Sequence, residues 1–138
     1  MSKLYARAFP NERGWSAQEI TDILADPGVV SVFSAAGFAM LRVASDEAEV
    51  LSLAVDPDVR RQGNGRDLLQ RGMIGARALG AERMFLEVSE RNIAALSLYR
   101  GFGLRQIGVR KKYYRRTDGH HEDAIVMGCD LWLPQRNR

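Results

Sequence analysis

Apolar residues first recur at helical spacing in Ile20, Ile23 and Leu24, behind a capping box with Ser16 at the N-cap and Glu19 three residues on. A helix over 16–25 is predicted, stopped by Asp26-Pro27-Gly28. The pattern then changes. Val29 to Ala35 and Phe38 to Val43 are apolar runs of strand length on either side of Ala36-Gly37, and Val50 to Val55 is a third. From Gly65 the helical period returns: Leu68, Leu69, Met73, Ala76 and Leu79 share one stripe, and Gly80 suits the stop. Met84 to Val88 reads as a strand, and Asn92 to Arg100 as a short helix with Asn92 as its cap and Gly101 just past its end. Leu104 to about Arg110 and Ala124 to Leu133 read as closing strands around a loop from Thr117 to His121. The central strand–helix–strand–helix–strand order predicts parallel pairing, and the paired strands at the ends predict antiparallel flanks. The expectation is one α/β domain over residues 1–138, with a mixed central sheet and flanking helices.

Between the third strand and the long helix lies a short basic turn, Asp56-Pro57-Asp58-Val59-Arg60-Arg61-Gln62-Gly63-Asn64-Gly65-Arg66. A strand that feeds a glycine-bearing turn and a helix N-terminus builds an anion site, because the backbone approaches the ligand and the free N–H groups and helix dipole favour negative charge. Arg60, Arg61 and Arg66 add positive charge there, so the expected ligand carries phosphate. A Walker loop is excluded, since no Gly-Lys-Ser/Thr follows. A dinucleotide fingerprint is excluded as well, since its third glycine position holds Leu68. The pattern that remains is Arg60-x-x-Gly63-x-Gly65, which resembles the pyrophosphate loop of the GCN5-related N-acetyltransferases (GNAT), the enzymes that hold acetyl-coenzyme A. Taken alone, the loop is equally well explained as an ordinary turn with solvated arginines.

Composition narrows the class. Hydrophobic residues make up 46% and charged residues 27%, a soluble globular balance rather than a disordered one. No apolar run nears the ~20 residues that span a bilayer, and the N-terminus carries no signal-like apolar stretch, so a cytoplasmic protein without membrane contact is expected. Cys129 is the only cysteine, which excludes an internal disulfide and a cysteine-based zinc site. The net charge of +3 suits an anionic cofactor or a partner near RNA. The densest basic cluster, Arg110-Lys111-Lys112-Tyr113-Tyr114-Arg115-Arg116, fits a nucleic-acid patch or a solvated loop beside an acidic ligand.

Three residues carry candidate chemistry. Glu87 stands inside an apolar strand, where a carboxylate is costly unless paired or used. Desolvation favours a carboxylate's proton-accepting role, which suits a general base; the bland reading is a Glu satisfied by a nearby Arg or backbone N–H. Tyr99, twelve residues on, falls with Ala95, Leu96 and Leu98 on one helix, a spacing that reads as packing, although a phenol can protonate a departing thiolate. Asn92 reads as a cap first and a ligand contact second. His120-His121 reads as solvated loop, because adjacent side chains seldom converge on one metal; no metal site is expected.

Together the segments resemble one family. Val50 to Pro57, Arg60 to Gly65, Leu86-Glu87-Val88-Ser89-Glu90-Arg91-Asn92 through Tyr99, Gly101-Phe102, Arg110 to Tyr114 and Glu122 to Met127 occur in the order found in the bacterial ribosomal-protein-alanine N-acetyltransferases, the RimI-type branch of GNAT. The resemblance covers roughly residues 15–130. It implies a single-domain GNAT fold and acetyl transfer from acetyl-coenzyme A to the α-amine of a protein N-terminus, an N-terminal alanine of a ribosomal protein. By that resemblance, Leu53 and Val55 offer backbone groups to the pantetheine and acetyl carbonyl, and Gln62, Gly63, Asn64, Gly65 and Arg66 cradle the pyrophosphate. Asn92 touches the coenzyme. Glu87 takes the amine proton through water, Tyr99 protonates the sulfur, and Tyr113 and Tyr114 shape the peptide entrance. The chain departs from the pattern in the loop lengthened by His120-His121 and in the short stretch before Trp15, both on the expected substrate side. Two rivals remain: a small-molecule amine or lysine acetyltransferase, opposed by the Tyr113-Tyr114 pair, and a non-catalytic basic ribosome- or RNA-binding module, opposed by Glu87. Direct nucleic-acid binding is not expected.

Overall fold

The computed structural model describes residues 16–59, 63–115, 119 and 121–131, with the backbone alone at 59 and 112–115. The first helix among the described residues, α1 (Ala17–Leu24), starts on the anticipated capping box. The Ser16 hydroxyl accepts from the Glu19 N–H at 3.0 Å, and the Glu19 carboxylate accepts from the Ser16 N–H at 2.8 Å. Strands β1 (Val29–Ser34), β2 (Gly37–Ala44) and β3 (Glu47–Val55) follow as an antiparallel meander, then helix α2 (Asn64–Ala78), strand β4 (Arg83–Ser89), helix α3 (Ile93–Gly101), and strands β5 (Arg105–Arg115) and β6 (His121–Asp130).

β3 starts three residues before its apolar run. α2 starts at Asn64 rather than Gly65, because Gly63 takes a left-handed φ of +81° and serves as its N-cap. The α2 stripe also differs. Leu68, Leu69, Gly72 and Ala76 are buried, whereas Leu79 lies at the C-cap and is 49% exposed. Gly72 and Gly75 bring the helix close to the sheet: a Cβ at either would stand 2.6 Å from Leu41 Cδ1 or 2.7 Å from Val30 Cγ1. That close approach offsets the roughly 1 kcal/mol of helix propensity a glycine forfeits.

The six-stranded sheet has the order β1-β2-β3-β4-β6-β5. Parallel pairing occurs between β3 and β4, as anticipated. It does not extend to β5, because the chain continues past β4 to the sheet edge and returns as β6, which pairs antiparallel with both. The closing hairpin is longer than its apolar pattern suggests: His121 belongs to β6, is exposed and pairs with Arg115, so it is not loop. His120 lies outside the described residues, as do 132–133 of the anticipated last strand.

The sheet has two unlike faces. On one, Leu41, Val50, Leu86 and Met127 pack with Leu68 and Leu69 of α2 and Leu96 and Tyr99 of α3 into the core. The opposite face carries Phe38 and Met40, both fully buried, and, further along, Glu87. No helix among the described residues is long and apolar enough to cross a membrane.

Candidate active site

The site is organised by a gap in the sheet. The β3–β4 ladder pairs Glu47 with Arg83, Ala48 with Met84 and Glu49 with Phe85, and ends there. Past it β3 pairs with β2 as far as Val55↔Gly37, and β4 pairs with β6 as far as Ser89↔Ala124. Directly after the last shared pair, β3 bulges. Met40 opposes Ser52 while Leu41 opposes Val50, which leaves Leu51 as the extra residue. A bulge bends and twists its strand, and this one changes which residues share a face. Val50 and Leu53 turn to the helices, and Ser52 and Ala54 turn away.

Those of the anticipated coenzyme residues that the structure describes lie on the helix side of this gap. Leu53 and Val55 pack there against the core, and Gly65 lies against Val55 and Leu98, where a Cβ would meet their methyls at 3.6 and 3.3 Å. Among the described residues, nothing lies within 4 Å of where a Cβ on Gly63 would stand. The first-turn N–H groups of Asn64, Gly65 and Arg66 have no helical carbonyl to bind, and the dipole favours an anion. The Arg66 guanidinium lies over the Phe102 ring, 4.8 Å from its centroid, a packing role its sequence position does not disclose. Arg60, Arg61 and Gln62 lie outside the described residues. Asn92 caps α3, its side-chain oxygen accepting from the Ala95 N–H at 3.2 Å. Tyr99 is 7% exposed and belongs to the core cluster on that same side.

Glu87 is on the other face. Its side chain is 21% exposed, and both of its carboxylate oxygens accept from Arg110 Nη1, at 3.0 and 2.9 Å. The partner is an arginine, one of the two readings that the sequence left open: on the face that Glu87 shares with Phe85, β5 brings a cation to it from 23 residues away. Tyr113 and Tyr114 continue β5 beyond Arg110, with Tyr114 paired to Glu122; their side chains lie outside the description.

Two functional candidates escape the sequence reading. Glu122 is buried: it accepts from the Ser89 hydroxyl and lies 3.6 Å from the Arg91 guanidinium, tying β6 to the turn before α3. Ser52 is 7% exposed, and its hydroxyl has no hydrogen-bond partner among the described residues. The motif containing Glu122 was visible in the sequence, but nothing local signals either side chain's environment. No group of His, Cys, Asp and Glu among the described residues could hold a metal ion.

Residues 3–104 match the acetyltransferase (GNAT) family. Among curated proteins, the chain is 44% identical over 96 residues to the ribosomal protein bS18-alanine N-acetyltransferase of Escherichia coli strain K12, covering 70% of this chain and 64% of that protein. It is 35% identical over 92 residues to the putative counterpart of Bacillus subtilis strain 168, covering 67% of this chain and 59% of that one. The match thus spans less than two thirds of these relatives' length. The crystal structure of the Escherichia coli ribosomal-protein-S18-alanine N-acetyltransferase superposes with a TM-score of 0.83 at 32% identity, over 96% of this chain and 86% of that one. Arabidopsis thaliana NAA60, solved in complex with acetyl-CoA, shares the fold with a TM-score of 0.78 at 16% identity, over 94% and 90% of the two chains.

Proposed function

The chain belongs to the acetyltransferase (GNAT) family, and from that premise we propose that it transfers acetyl from acetyl-coenzyme A to the α-amine of a protein N-terminus, an N-terminal alanine of a ribosomal protein. The observation that carries this reading is the gap between β3 and β4, which separates two approaches. The phosphate-suited helix start, Asn92 and Tyr99 lie on one side of it, and Glu87 lies on the other. A thioester entering from the helix side and an amine entering opposite would meet at the parted strands. The similarity to bS18-alanine acetyltransferases supports the choice of substrate.

In this reading, the backbone from Gly63 to Arg66 holds the pyrophosphate, helped by Arg60 and Arg61, and Leu53 and Val55 offer backbone groups to the pantetheine and acetyl carbonyl. Glu87 accepts a proton from the ammonium through water, leaving a neutral amine that attacks the carbonyl carbon. Backbone N–H groups near Val55 stabilise the developing oxyanion. As the C–N bond forms and the C–S bond breaks, Tyr99 gives its proton to the sulfur, and the second proton that the nitrogen loses as the amide forms passes through solvent to restore the phenol. Tyr113 and Tyr114 wall the peptide entrance.

The test is mass spectrometry of peptides incubated with the protein and acetyl-coenzyme A. A peptide beginning with a free alanine should gain one acetyl group at its α-amine, and the same peptide with that amine blocked should gain none. Preferential labelling of lysine side chains or small amines would replace this reading with the small-amine alternative.

A further inference from the structure

Ser52 points to a part of the site that the proposed mechanism does not use. Its hydroxyl is buried without a partner among the described residues, beside Met40 across the β2–β3 ladder and Ala54 further along its own strand. Neither neighbour has a polar side chain to offer it. Buried hydroxyls are almost always bonded, so an orphan on a strand at a reaction site marks a place where an incoming group completes the bond.

The register says what that group meets. Glu49 and Phe85 are the last shared pair of the parallel ladder, and their side chains share the face away from the helices. The next residue on that face of β4 is Glu87, two positions on. On β3 that face carries Ser52, three positions on, past the extra residue Leu51, which is not among the residues packed on the core cluster. Ser52 and Glu87 therefore stand on the same face of the two parting strands, one on each edge of the gap. Without the bulge, Ser52 would face the core.

Resting on the acetyltransfer reading above, we propose that Ser52 is a further catalytic residue that binds the attacking amine. Its hydroxyl oxygen accepts a hydrogen bond from one N–H of the α-amine while Glu87, through water, takes the proton that the ammonium loses. Two acceptors on opposite edges of the gap orient the nitrogen, so that its lone pair faces the thioester carbon between them. Ser52 gains and loses no proton. The C–N bond forms, the C–S bond breaks, the nitrogen's second proton leaves to solvent, and the leaving thiolate is protonated from the helix side as before.

The experiment is Ser52→Ala, with kcat and KM measured for an alanine-terminated peptide alongside the melting temperature. Removing an unpaired buried hydroxyl removes a cost to the folded state, so the variant should melt no lower than wild type. Its kcat/KM for the peptide should fall about 10–100-fold through lost orientation, with coenzyme affinity by calorimetry unchanged, since Ser52 faces away from the helix side where α2 begins. A merely structural Ser52 predicts the reverse, unaltered kcat/KM with an altered melting temperature, and that result overturns the inference while leaving acetyl transfer intact. A parallel fall in melting temperature and rate also overturns it. Absence of peptide acetylation by the wild-type protein would overturn the functional reading, and this inference with it.

Discussion

Glu87 shows how much one side chain owes to its surroundings. The strand places it in sequence, the alternation of β4 turns it away from the core, and Arg110 then holds both of its oxygens. Glu87→Gln keeps the shape and leaves Arg110 an amide oxygen to bind, so folding and coenzyme affinity should hold. Acetylation of an alanine-terminated peptide should fall about 10²–10⁴-fold, the range for loss of a general base. Steady-state rates at neutral pH check this, and wild-type turnover in the variant would leave Glu87 as the structural ion pair that its strand position also allowed. That ambiguity was present in the sequence because a carboxylate within an apolar run looks the same whether its partner is a substrate or an arginine on another strand.

At the scale of the element, two glycines near the end of β3 do different work. Gly37 opens β2 against the end of β3, pairing with Val55, while the Asp56 N–H donates to the Ala36 carbonyl at 2.7 Å. A Cβ on Gly37 would stand 2.0 Å from the Ala54 carbonyl oxygen, a backbone atom that cannot step aside. Gly63 meets no described atom there and is constrained instead by its φ of +81°. Gly63→Ala is expected to cost about 1–2 kcal/mol of strain. Gly37→Ala is expected to cost at least as much and to pull the end of β3 out of place. Urea unfolding and coenzyme calorimetry separate the two: the Gly37 variant should lose coenzyme affinity well beyond its share of unfolded protein. Equal, mild effects of both would mean that β3 is not held by this contact. The sequence flags both glycines as turn residues, but only the pairing of β2 with β3 distinguishes a clash from a torsional demand.

For the molecule as a whole, the alkaline limit of stability has an identifiable contributor. Cys129 lies half-buried against the core cluster on β6, where burial, with the nearby Asp130 charge second, pushes its thiol above the ordinary value. The folded state therefore keeps this proton longer than the unfolded chain does. The resulting stability is fully present below the unfolded thiol pKa of about 8.5 and is lost as pH rises through that value towards the raised one. Urea midpoints measured from pH 7 to 10 should fall in the wild-type protein and fall less steeply in Cys129→Ala. Identical slopes would assign the alkaline loss to other groups.

The capping box at Ser16, the strand-length apolar runs, the cap at Asn92 and the glycine turn before α2 were all readable from the chain, because each depends on residues within a turn or a strand of one another. Tertiary structure decided the rest. The order that puts β6 between β4 and β5, the Arg110 guanidinium on Glu87, and the burial of Glu122 and Ser52 all join segments far apart in sequence. The bulge at Leu51 belongs with them, since an extra residue on one strand is defined only against its partner's register. Spacing within a segment can specify an element, but which face meets which neighbour is set by hydrogen bonding between strands, and a one-residue shift in that pairing reverses every side chain beyond it.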